Sequence, residues 1–184
     1  VTDSAPARVV AVARDDEHRF SKPTRESITL VAGIGVEGDA HAGATVQHLS
    51  RIRRDPSAPN LRQVHLIHSE LFDDMARRGH VVPPGGLGEN ITTTGVDLLG
   101  LSRGTRLEIG EDAVIEITGL RNPCAQINGL SDGLMKELVH VDDHGETVRL
   151  AGVMSVVLQG GEVGPGDGIR VVPPVGAHDP LRAV

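Results

Sequence analysis

The chain has one cysteine, Cys124, in "VIEITGLRNPCAQIN". Arg121 precedes it by three residues, and Pro123 restricts the backbone beside it. A cation near a thiol favours the thiolate, which is both the nucleophile and the soft metal ligand of the side-chain set. A lone cysteine also reads as a small buried hydrophobe.

A second stretch, "LVAGIGVEGDAHAG", contains G-x-G-x-x-G at Gly33, Gly35 and Gly38. A dinucleotide loop must open a helix whose N-terminus holds the phosphates. Here Gly43 interrupts the segment that follows, and the acidic residue at the right offset, Asp55, falls in the loop "RRDPSAP". The glycines are therefore read as turn residues with positive φ. Asp39 and His41 follow them, and this pair either orders the loop or lines a pocket.

Other arrangements are weaker. His65 and His68 are three apart, a spacing that puts them on opposite faces of a strand. His41 and His48 meet Cys124 only if the fold brings them together. His18, His80, His140, His144 and His178 read as solvated. No G-x-S-x-G elbow supports Ser-His-Asp hydrolysis.

The elements that must position these residues are mostly strands. "ARVVAVA" (7–13), 28–32, "RQVHLIH", "NITTT", "TRLEIG", "AVIEITGL", "AGVMSVVLQGG" and "GIRVV" have strand patterns. "TRLEIG" and "AVIEITGL" are joined by the turn "GEDA". Residues 33–60 form a long loop of the kind that often carries function. Two short helices are predicted: "SELFDDMARRG", capped by Ser69 and ended by Gly79, and "LSDGLMKELVHV", capped by Ser131 or Asp132. The expected fold is α+β, mostly β, with a closed or nearly closed barrel and a few peripheral helices. Residues 1–172 are read as one domain and 173–184 as a loosely held tail.

Composition narrows the function. Aromatic residues are 1% of the chain, too few for a single-strand stacking platform, and the net charge of -7 gives no global basic footprint for nucleic acid or anionic membrane. One cysteine allows no intrachain disulfide. No signal peptide or apolar span is visible, so the sequence reads as soluble and cytoplasmic. An anionic ligand needs a local basic pocket.

Four stretches together resemble the MOSC family, named for the C-terminal domain of molybdenum cofactor sulfurases: "GVEGDAHAG" (35–43), "RQVHLIHSE" (62–70), "GLGENITTTGVDL" (86–98) and "GTRLEIGEDAVIEITGLRNPCAQIN" (104–128). The resemblance implies a β-barrel-centred domain binding a molybdenum cofactor (molybdopterin). It makes Cys124 the molybdenum ligand or, in sulfurase-type proposals, the carrier of a persulfide. It also assigns Gly38, Asp39, His41, Arg62, Glu89, Asn90, Thr92 and Arg121 to the cofactor pocket. Arginines suit the cofactor phosphate, and Asn90 and Thr92 offer neutral hydrogen bonds to a pterin edge.

The pyridoxal-phosphate domain of full-length sulfurases has no counterpart, so desulfuration is not expected of this chain alone. Three readings follow. The first is an oxidoreductase that reduces N-hydroxylated small molecules with electrons from a donor protein. The second is a sulfur carrier in cofactor maturation, served by a cysteine desulfurase. The third is a non-catalytic binding module.

Overall fold

A computed structural model describes residues 6–184. The strands, in chain order, are β1 (Arg8–Ala13), β2 (Thr24–Arg25), β3 (Ile28–Val31), β4 (Gly35–Val36), β5 (Val64–His68), β6 (Ile91–Thr94), β7 (Arg106–Ile109), β8 (Ala113–Leu120), β9 (Val139–Val141), β10 (Thr147–Arg149), β11 (Val153–Gln159), β12 (Gly161–Val163) and β13 (Ile169–Val172). The helices are α1 (Leu49–Ile52), α2 (Glu70–Arg77) and α3 (Leu134–Leu138). No helix among the described residues is long and apolar enough to cross a membrane.

Eight strands form one mixed sheet in the order β13-β7-β8-β11-β5-β6-β1-β2. A three-stranded sheet (β12-β3-β4) and a two-stranded one (β10-β9) stand apart from it. The mostly β content agrees with the sequence, but the sheets are open and there is no closed barrel. Between β1 and the chain entering β13 there are an isolated bridge, Arg8 to Gly168, and a few backbone bonds, such as the Val9 amide to the Asp167 carbonyl at 2.8 Å, but no continuous ladder. That approach runs through "GPGDG", where glycines and a proline support a turn rather than a continuing ladder.

Strand β8 shows why the pattern was readable. Its burial alternates along all of "AVIEITGL", and it pairs with β7 from Ile109–Ala113 outward, across the "GEDA" turn. Its inward residues Ala113, Ile115 and Ile117 join Leu66, Ile91, Leu107 and Val153 in the main core. The parallel pair β5–β6, in register at Leu66 and Ile91 and bridged by α2, was not foreseen. Such a pair needs a crossover helix, and α2 supplies it by burying Leu71, Phe72 and Met75. These residues build a second apolar cluster with Ile67, Leu87, Ile127, Leu134 and Leu138.

The predicted caps do not form. Ser69 precedes α2 without a side-chain bond to it, and Gly133, in the left-handed region, begins α3. Ser131 instead pairs its hydroxyl with His80 Nδ1 at 2.7 Å. The tail is also bound rather than loose. The Leu120 amide donates to the Arg182 carbonyl at 2.8 Å, the Val184 amide donates back to Leu120, and Leu181 packs against the core.

Candidate functional site

Pairing across the large sheet sets Ala13, Asn90, His65, Met154 and Gly119 side by side. The Ala13 amide donates to the Asn90 carbonyl and the Asn90 amide to that of His65, both at 2.8 Å. His65 is registered with Met154, and Met154 with Gly119. The loops that leave or enter this row enclose a cavity of about 390 Å³. It brings together His41, Arg62, Asn90, Arg121 and Cys124 of the predicted residues. Gly38, Asp39, Glu89 and Thr92 lie outside its wall.

Cys124 sits where β8 has ended and a 3-10 turn, Ala125–Gly129, begins. Pro123 and Ile127 are buried on either side of it, so the thiol is held at the cavity wall while remaining partly exposed. Its nearest polar partner is Gln126 Oε1 at 3.6 Å. Arg121 is fixed through its backbone amide, which donates to the Gly152 carbonyl at 3.0 Å. Its guanidinium lies over the Phe20 ring at 5.7 Å, and its Nη1 is buried without a hydrogen-bond partner. Burial pushes the Arg121 pKa down, against the opposing influence of Cys124 and Glu89.

Arg62 is half-buried and donates from Nε to the Val184 carbonyl oxygen at 2.7 Å. Burial, then Arg51 and Arg121, bring its pKa down to about 10. His65 is fully enclosed. Its Nε2 lies 2.7 Å from the Ala151 carbonyl, and that carbonyl accepts only if Nε2 carries the proton. Burial first, and Arg121 next, hold its pKa well below the ordinary histidine value.

Asn90 borders the cavity, but its amide already serves the protein. Nδ2 donates to the Ala13 carbonyl at 3.2 Å and to Asp39 Oδ2 at 3.0 Å, and Oδ1 accepts from the His65 amide. Glu89 is wholly buried, and its carboxylate gathers the Gly85 and Leu87 amides and the Thr92 hydroxyl. Burial raises the Glu89 pKa, partly offset by those bonds. Asp39 lies just behind the wall, where Lys22 Nζ reaches its Oδ2 at 2.8 Å. Gly33 lies in the turn between β3 and β4, Gly35 opens β4 and Gly38 follows it; all three have positive φ and no helix opens at them, in line with the turn reading.

Sequence reasoning passed over the wall residues Phe20, Lys22 and Arg51, whereas His48, weighed there with His41 and Cys124, does line the same cavity as both. The sequence reads His18 as solvated. It is exposed, yet its ring stands 5.2 Å from that of His41. Lys22 is one of only two lysines and sits in a polar loop, and no sequence signal marks such a residue as buried. Five cationic residues (Arg19, Lys22, Arg51, Arg62 and Arg121) border the cavity, and no Asp or Glu among the described residues does. Arg19 is paired with Asp15 and Glu17 and Lys22 with Asp39, so the locally basic character of the wall, on a chain of net charge -7, rests on Arg51, Arg62 and Arg121.

A family model described as the MOSC domain matches residues 38–170. The chain belongs to the MOSC domain family, which is associated with the molybdenum cofactor. Among solved structures it superposes on YuaD from Bacillus subtilis with a TM-score of 0.73 at 22% identity, covering 92% of this chain and 97% of that one. YiiM from Geobacillus stearothermophilus gives 0.65 at 19% identity, covering 95% and 80%. YiiM from Escherichia coli gives 0.59 at 20%, covering 94% and 73%. These likenesses describe a shared fold. No curated protein matches the chain.

Proposed function

We propose that this protein binds a molybdenum cofactor in the cavity, with Cys124 as the molybdenum ligand, and reduces N-hydroxylated small molecules. The observation that carries the reading is the buried, unpartnered Nη1 of Arg121 on the same wall as the cysteine. An enclosed guanidinium without a partner is costly, and an anion bound beside it removes that cost. Arg62 and Arg51 add positive charge without an opposing carboxylate in the wall.

The donor set suits the group. The thiol is a soft ligand appropriate to molybdenum alongside dithiolene sulfurs. Arg121 suits a phosphate by its planar donor geometry, while Arg62, whose Nε and Nη2 are engaged by the Val184 carbonyl, adds positive charge. Asn90 holds the row of strands together and fixes Asp39. Met154, Val46, Leu49 and Leu61 give the cavity apolar surface on which the organic part of a ligand can lie. When bound, the cofactor supplies two-electron redox chemistry at molybdenum. In this reading a donor protein supplies the electrons.

The test is metal analysis of protein purified from a host that makes the cofactor. About one molybdenum per chain is expected, and Cys124→Ala is expected to lose it. Stoichiometric molybdenum retained in that variant overturns the ligation. A persulfide on Cys124 in metal-free protein, seen by intact mass after incubation with a cysteine desulfurase, favours sulfur carriage instead.

A further inference from the structure

Behind the cavity wall, Asp39 is built as a fixed acceptor. Its side chain is 2% exposed. Oδ2 takes the Lys22 ammonium at 2.8 Å and Asn90 Nδ2 at 3.0 Å. Oδ1 takes the His41 backbone amide at 2.9 Å and faces His41 Nδ1 at 3.2 Å. Burial would raise the carboxyl's pKa, but the His41 hydrogen bonds and Lys22 outweigh it and hold it below the ordinary carboxylate range. The acceptor is therefore an anion, and His41 Nδ1 must be the donor.

That fixes the other end of the ring. With Nδ1–H committed to Asp39, neutral His41 keeps its lone pair on Nε2, and the imidazolium carries its transferable proton there. The backbone of His41 is held as well, since Asn60 Nδ2 donates to its carbonyl at 3.1 Å and to that of Gly43 at 2.9 Å. The His41 side chain is 31% exposed and forms part of the wall that carries Cys124. The groups facing the ring are Asp39 on its own loop, His18 from the loop after β1, and His48 at the start of α1, whose ring lies 6.4 Å away.

We propose that His41, oriented by Asp39, is the proton donor to the substrate in this cavity, with Asp39 and Lys22 as positioning residues. This rests on the reductase reading given above. Reduction of R–NH–OH to R–NH2 and water takes two electrons and two protons. The N–O bond breaks, His41 Nε2–H protonates the departing hydroxyl oxygen to give water, and the second proton reaches nitrogen from solvent. The two electrons come from two equivalents of a one-electron reductant. His41 then regains its proton from solvent through its exposed edge.

The experiment uses cofactor-loaded protein, an aryl hydroxylamine and reduced viologen. His41→Ala is expected to keep its molybdenum and lose roughly 100-fold in turnover, the lower range for a general acid. Added imidazole is expected to restore part of that loss, which a merely structural role does not predict. Nitrogen-15 NMR of the cofactor-free protein is expected to show neutral His41 as the Nδ1–H tautomer, and Asp39→Asn to redistribute it. Turnover of His41→Ala within twofold of wild type, absence of imidazole rescue, or an Nε2–H tautomer in wild type each overturns the assignment while leaving cofactor binding standing. Wild-type protein without molybdenum overturns the underlying reading and this one with it.

Discussion

Lys22 Nζ and Asp39 Oδ2 form an ion pair at 2.8 Å with side-chain exposures of 4% and 2%. It ties the loop after β1 to the loop that follows the glycine turn. Burial lowers the Lys22 pKa, and Asp39 is the main influence resisting it. Breaking a buried pair by removing one partner costs about 3–5 kcal/mol, because the remaining charge is left uncompensated. Lys22→Met is expected to lose stability on that scale in urea unfolding, and Asp39→Asn similarly. The double variant is expected to lose much less than the sum. Additive losses in that cycle would show that the two are not coupled.

The glycine turn yields a graded prediction. Gly33 and Gly35 both have positive φ, at 72° and 120°. A Cβ on Gly33 meets nothing within 4 Å, whereas one on Gly35 falls 2.8 Å from the Gln63 carbonyl oxygen. Gly33→Ala therefore costs about 1–2 kcal/mol, the left-handed penalty alone. Gly35→Ala adds a backbone collision and is expected to cost clearly more by urea unfolding. Equal costs would mean that Gly35 has room the structure does not show.

His65 makes stability pH-dependent. Its folded pKa lies well below the unfolded value of about 6.5. Between those values the unfolded chain binds a proton that the folded chain does not, so stability falls as pH drops below about 6.5. The slope approaches 1.4 kcal/mol per pH unit for one such group. His48 and His68, also held down chiefly by burial, act in the same direction. Asp39 acts lower, where its depressed pKa makes stability fall as pH drops below about 4. His65→Gln is expected to flatten the dependence between pH 5 and 6.5 relative to wild type. An unchanged slope would assign the proton uptake elsewhere.

Much of this was legible in the sequence, for local reasons. Alternation in "AVIEITGL" marked β8, and Arg121 close to Cys124 marked the pocket wall. Both signals are carried by neighbours along the chain. The β5–β6 pairing was not legible, because its register depends on α2 covering one face of the sheet. Closure was over-read for a related reason. Counting strands says nothing about whether the two ends of a sheet meet in a ladder, and here β1 and the chain entering β13 meet only through a bridge and a few backbone bonds. Glu89 and Thr92, two of the motif residues, turn their polar groups to one another and to the loop amides rather than to the cavity. Lys22 and His18 reach the site from a loop whose path is set by Lys22 meeting Asp39, a contact between residues 17 apart that no periodicity reports.

Arg121 offers the sharpest separation of stability from binding. Its Nη1 is shielded from water and has no partner, while its guanidinium rests on Phe20. A shielded, unpaired donor costs about 1–3 kcal/mol, and more when charged. Methionine keeps apolar contact with Phe20 and removes the unpaired charge. Arg121→Met is therefore expected to raise the urea midpoint of cofactor-free protein, and to lower the molybdenum content of protein made in a cofactor-producing host. Arg170→Met is the control, since Arg170 is exposed and paired with Glu108 on the outer strands. It is expected to change neither reading appreciably, because exposed pairs contribute about 0–1 kcal/mol. A destabilised cofactor-free Arg121→Met would make the guanidinium a structural member of the fold, and an undiminished molybdenum content would remove it from the anion site.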